Sequence, residues 1–168
     1  MWLNIVVLSF LVALALAAEE KAWTLDEFKN SVIKDERVWL VEFYSGMCGS
    51  CKEFAPIWDH VAQSMPDLMK TKVNIDQKGG MEVAQFMGAL EEGLPNVRLI
   101  TTQDGKSEGI VKGDVLPYKK IMHMTSARLS NLPRRGGVGM FLKHEMKGTP
   151  TASAPPAASP GGSSELRL

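Results

Sequence analysis

Apolar positions change their period several times along the chain, and each change marks an element. Thr24 and Glu27 have the spacing of a capping box, and Leu25, Phe28 and Val32 then recur on one face, which predicts a helix to about Asp35. Val38 to Tyr44 is a β-branched and aromatic run broken only by Glu42, the pattern of a central parallel strand covered on both faces. Cys51, Phe54, Ala55, Trp58, Val61, Ala62 and Met65 return to three- and four-residue spacing and predict a long amphipathic helix kinked near Pro56. Alternation at Thr71, Val73 and Ile75 predicts a strand, and Val83, Phe86, Met87 and Leu90 predict a helix after the Gly79-Gly80 break.

Asn96 to Thr102 and Glu108 to Lys112 flank Asp104-Gly105, a turn that sends the chain back antiparallel. Pro117 opens a last helix, with Tyr118, Ile121, Met122, Thr125 and Leu129 on one side. Together these elements predict an α/β fold, a central mixed sheet flanked by helices, in one domain over residues 19–132. Residues 133–168 form a C-terminal extension. It passes through Arg-Arg-Gly-Gly and a short mixed segment around Phe141 to a Pro-, Ala-, Ser- and Gly-rich stretch from Gly148 to Leu168. Such composition buries too little apolar surface to offset ordering entropy, so the extension is expected to be largely disordered.

Composition fits one core: 168 residues, 45% hydrophobic and 23% charged. Nineteen basic residues balance nineteen acidic ones without long blocks, so neither nucleic acid nor an anionic membrane is expected as a partner, and the protein is read as a monomer. Residues 1–18 carry no charged side chain and end in Ala15-Leu16-Ala17-Ala18, which reads as a signal peptide, with an uncleaved anchor as the alternative. The mature chain is therefore expected in the endoplasmic reticulum lumen or outside the cell, off the membrane. Ser164-Glu165-Leu166-Arg167-Leu168 is too distant from a retrieval signal to count as one. Met65, Met81, Met87 and Met122 fall at helical core spacing and are expected to pack inside.

A secreted setting changes how cysteines are read, because disulfides persist there. The chain has two, Cys48 and Cys51, which could close only a very small loop and so would staple little. Placed between a buried strand and the start of a helix, they suit redox chemistry instead. Helix-end amides favour an anion at Cys48, the expected nucleophile, and Cys51 would resolve the mixed disulfide. A structural zinc site needs about four ligands, and His60, His123 and His144 lack ligand spacing, so no metal is expected. Glu42 has two readings. It is either a buried proton acceptor for Cys51, with its pKa raised by burial, or it has no such role, the strand end being solvated or the carboxylate merely pairing with Lys72 on the neighbouring strand.

Val41-Glu42-Phe43-Tyr44, the Cys48-Gly49-Ser50-Cys51 pair, Lys52 through Ala55-Pro56-Ile57, Lys72-Val73-Asn74-Ile75-Asp76-Gln77 and Gly93-Leu94-Pro95 occur in an order that resembles the thioredoxin superfamily, in particular a catalytic domain of the protein disulfide isomerase family. The resemblance spans about residues 22–131 and implies the thioredoxin fold. It also implies catalytic roles for Cys48, Cys51, Glu42 and Lys72, and a substrate-facing rim of Met47, Gly49, Ser50, Leu94 and a cis Pro95. No cofactor is implied beyond the cysteine pair itself. The partners implied are client proteins with thiols or disulfides, and a redox protein or glutathione.

The chain departs from the family pattern at Met47 in place of tryptophan, at Ser50 in place of histidine or proline, at two extra residues around Leu90 to Glu92, and at Asn96 in place of threonine. Ser50 removes a group that favours the thiolate in isomerases, so a less oxidising relative is expected. The function expected is disulfide exchange with client proteins; the alternative is a peptide-binding module whose cysteines are dispensable.

Overall fold

In the computed structural model, which describes residues 21–144, Thr24 opens the fold as the sequence predicts. Its hydroxyl accepts the Glu27 amide at 3.3 Å, and the Glu27 carboxylate accepts the Thr24 amide at 3.0 Å. Helix α1 (Leu25–Phe28) follows and continues as a π-helical turn, Lys29–Ile33. Phe28, Val32 and Ile33 are buried, and Trp23 meets Phe28 edge-on with ring centroids 5.7 Å apart.

The remaining elements are β1 (Trp39–Tyr44), α2 (Gly49–Ser64), β2 (Met69–Asn74), α3 (Gly80–Phe86), α4 (Ala89–Glu92), β3 (Asn96–Ile100), β4 (Ser107–Lys112) and α5 (Tyr118–Leu129). The strands form one mixed sheet in the order β2-β1-β3-β4. β1 runs parallel to β2 and antiparallel to β3, and β3 is antiparallel to β4. Because strand side chains alternate between faces, β1 feeds two cores. Leu40 packs with Phe54, Trp58, Val61 and Ile121 from α2 and α5, while Val41 and Phe43 pack with Phe28, Val32 and Val83 from the other face. This is the thioredoxin arrangement, a mixed sheet with helices on both sides.

Three details differ from the sequence expectations. The helix expected over Val83 to Leu90 is divided at Gly88, whose φ of 70° is left-handed, into α3 and α4. Met81, expected inside, is half-exposed on the outer side of α3, whereas Met65 and Met87 are buried and Met122 packs partly buried against the core. The ordered chain also continues past the boundary at Leu132.

That continuation is tied down by backbone pairing. Val38 N donates to Phe141 O, Phe141 N to Asp67 O, Lys143 N to Glu36 O and His144 N to Thr101 O. Phe141 and Lys143 are buried. The signal peptide over 1–18 and the stretch Gly148 to Leu168 lie outside the described residues. Among the described residues, no helix is long and apolar enough to cross a membrane.

Candidate redox site

β1 ends at Tyr44, and the loop Ser45–Met47 carries the chain to the first turn of α2. Asp76, in the loop after β2, pins that connection: its carboxylate accepts the Ser45 hydroxyl at 2.9 Å and the Gly46 amide at 2.7 Å. Ser45 Oγ in turn accepts the Met47 amide at 3.1 Å. The position of the first cysteine is thus set from two neighbouring strands.

Cys48 is the N-cap of α2 and forms a disulfide with Cys51. Its sulfur accepts the Cys51 amide at 3.1 Å, in the place where a serine or aspartate oxygen would ordinarily cap a helix. The two sulfurs differ in access, since Cys48 is half-buried and Cys51 is 3% exposed. An incoming thiolate therefore reaches Cys48 first. The helix amides around it would stabilise the thiolate that reduction leaves behind.

The expected rim residues gather here. Met47 is 87% exposed beside Cys48. Gly49 is exposed, and a Cβ built there meets nothing within 4 Å, so the surface over the pair is open. Ser50 Oγ lies 3.2 Å from Cys48 Sγ and 3.3 Å from Leu94 O, and Cys48 Sγ lies 3.9 Å from the same carbonyl. The Leu94-Pro95 peptide is cis, Pro95 is buried, and its carbonyl accepts the Gly113 amide at 3.0 Å.

Glu42 is 1% exposed, which removes the reading of a solvated strand end. It stands opposite Lys72 in the β1–β2 register, with Lys72 Nζ 3.8 Å from its Oε2. Alternation puts Glu42 on the same face as Leu40, the face that packs against α2, where Cys51 turns inward. Lys72 also lies over the Tyr44 ring, 4.8 Å from its centroid.

Sequence reasoning gave no role to the cluster that holds the Leu94-Pro95 loop. Glu92, in the extra segment, accepts Asn96 Nδ2 at 3.2 Å and Arg98 Nη1 at 2.7 Å, and pairs with Lys112 at 2.9 Å. Burial works against its charge, but the Lys112, Asn96 and Arg98 donors together outweigh that and hold its carboxyl below the usual range. The departures at Glu92 and Asn96 therefore bond to each other across the base of the loop. Arg98, a charge between Val97 and Leu99, was the available signal. Among the described residues, no three His, Cys, Asp or Glu side chains converge as a metal site.

The thioredoxin family model matches residues 19–123. Mouse protein disulfide-isomerase A6 is 32% identical over 89 residues, covering 51% of this chain and 19% of that protein. Protein disulfide-isomerase 2-3 of Arabidopsis thaliana is 29% identical over 137 residues, covering 77% of this chain and 29% of that protein. The chain thus spans less than a third of the length of these relatives. The solved Trx4 domain of ERdj5 superposes with a TM-score of 0.54 at 24% identity, covering 67% of this chain and 97% of that one, a likeness of fold.

Proposed function

The chain belongs to the thioredoxin family, and on that premise we propose that it is a thiol-disulfide oxidoreductase exchanging disulfides with client proteins in the secretory pathway. One observation carries this proposal: a cysteine pair at a helix N-terminus, with one sulfur reachable and amide-capped and the other buried. The similarity to protein disulfide-isomerases supports the isomerase-like branch and, with the leader-like first eighteen residues, a place in the endoplasmic reticulum lumen or outside the cell.

In the oxidising direction, a client thiolate attacks Cys48 Sγ, the Cys48–Cys51 bond breaks, and Cys51 leaves as a thiolate that takes up a proton. A second client thiolate then attacks the client sulfur of the mixed disulfide. The client disulfide forms, Cys48 departs as a thiolate, and two electrons have passed from client to pair. The reducing direction reverses these steps, and there Cys51 must lose a proton before it attacks. Glu42, on the α2-facing side of β1, is the acceptor we assign to that proton, with Lys72 beside it to balance its charge. Met47, Gly49, Ser50, Leu94 and Pro95 border the path of the client chain to Cys48.

Titration against glutathione tests the assignment. An equilibrium with a defined midpoint is expected, and its position separates a reductase-like potential near about −270 mV from an isomerase-like one near about −180 mV. Cys48 should also alkylate far faster than Cys51 once reduced. No exchange with glutathione, or full biological activity in a Cys48→Ser, Cys51→Ser double variant, would instead leave a peptide-binding module.

A further inference from the structure

The Ser50 side chain bridges the reactive sulfur and the loop across from it. Its hydroxyl is equidistant, within 0.1 Å, from Cys48 Sγ at 3.2 Å and Leu94 O at 3.3 Å. A hydroxyl has a single proton, so it can serve only one of the two at a time. A disulfide sulfur is a weak acceptor and a backbone carbonyl a good one, so in the oxidised protein the proton goes to Leu94 O. A thiolate reverses that order, because hydrogen bonds to ionised acceptors are roughly twice as strong as neutral ones.

We propose that Ser50 is a redox-responsive donor: its hydroxyl occupies the Leu94 carbonyl while Cys48 is in the disulfide and turns to Cys48 Sγ when that sulfur is a thiolate. The proposal rests on the pair being redox-active and deepens that function by adding control over the same site. The heavy atoms already lie within reach of both acceptors, so the switch requires only rotation of the hydroxyl hydrogen. Reduction adds two electrons from a thiol, which becomes a disulfide, or from a phosphine, which takes oxygen from water to become the phosphine oxide. The S–S bond breaks, one proton from solvent goes to Cys51, and a Cys48 thiolate and a Cys51 thiol remain. Ser50 then joins the Cys51 amide as a second donor to Cys48.

Two consequences follow. The thiolate, and with it the reduced form, gains a donor that no backbone group supplies. The Leu94 carbonyl, 3.9 Å from Cys48 Sγ, loses its donor while that sulfur is a thiolate and regains it once the sulfur is again part of a disulfide. Ser50 thereby couples the redox state of the pair to the hydrogen-bonding capacity of the loop opposite.

The test compares wild type, Ser50→Ala and Ser50→Thr, each reduced with a phosphine. The apparent pKa of Cys48, read from the pH dependence of alkylation, should rise in Ser50→Ala. Its glutathione equilibrium should shift about tenfold toward the disulfide, equivalent to about 30 mV for a two-electron couple. Ser50→Thr, which keeps the hydroxyl, should stay within about twofold of wild type. The carbonyl-carbon resonance of Leu94 should move on reduction in wild type, and in Ser50→Ala should already sit near its reduced position and move far less. An unchanged Cys48 pKa in Ser50→Ala, or a Leu94 shift of wild-type size in that variant, overturns the proposal. The pKa and resonance readouts need only chemical reduction. A wild type inert toward glutathione would therefore sink the oxidoreductase assignment, while the Ser50 comparison would still decide between a switching and a static hydroxyl.

Discussion

Two charged residues interrupt otherwise apolar strands, Glu42 in β1 and Arg98 in β3, and each is buried against a named partner. Burying a charge is costly unless it is compensated, so such a residue points to a local task. Arg98 spends its donors on Ser107, Gly88 and Glu92 and anchors the ends of the Leu94-Pro95 loop. Glu42 faces the helix that carries Cys51. Glu42→Gln preserves shape and removes the proton acceptor. Disulfide reduction by the purified variant should therefore slow about tenfold or more at neutral pH, while alkylation of reduced Cys48 stays within about twofold of wild type. A variant that turns over at the wild-type rate would remove Glu42 from the proton path. Glu42 was legible in the sequence because one carboxylate breaks a seven-residue apolar run. The Ser45–Asp76 contact was not, since it joins positions 31 apart with no shared pattern.

At the scale of elements, the last turn of the first helical segment is closed from far along the chain. Lys143 Nζ donates to Val32 O at 2.6 Å and to Ile33 O at 2.9 Å, carbonyls left open where that segment ends. Burial pushes the Lys143 amine down to about 8, against a partial opposing pull from Asp35. A neutral amine has two hydrogens, enough for both carbonyls. Between about pH 8 and the ordinary lysine value of 10.5, the unfolded chain holds a proton that the folded chain has released, so stability rises with pH across that window. Below about pH 8 both states are charged and the burial penalty is fully present. Relative to Lys143→Met, wild type should therefore gain on the order of 1 to 3 kcal/mol in urea unfolding between pH 7.5 and pH 10. Parallel pH profiles for the two proteins would show that Lys143 carries no such penalty. The periodic helices α2 and α5 were readable because each repeats its apolar spacing over several turns. The division of α3 from α4 was not, because it depends on the left-handed conformation at Gly88.

Across the whole molecule, β1 separates two tasks. Its C-terminal end leads into the cysteine pair, and its N-terminal end, at Val38, pairs with Phe141 of the closing segment. Six strand residues at about 3.3 Å each put roughly 20 Å between them. The closing segment ties the first helical segment, the start of β1 and the end of β3 together, with Arg134 paired to Asp67 at 2.8 Å and Arg135 to Glu36. Sequence pattern ended the fold at Leu132 because Met140-Phe141-Leu142 is a short apolar run with no period, and the groups it meets lie far away in sequence. Truncation after Leu132 would expose the surface under Phe141 and leave Val38 N, Asp67 O, Glu36 O and Thr101 O without these partners. Losing one buried aromatic side chain and several backbone hydrogen bonds should cost at least about 3 kcal/mol. The urea midpoint should fall accordingly. The alkylation rate of reduced Cys48, measured well below that midpoint, should stay within about twofold of the full chain, because none of these bonds reaches the loop or the first turn of the helix that hold the sulfur. If reactivity at Cys48 falls together with stability, the two ends of β1 are coupled and the sheet does not insulate the site from its closing segment.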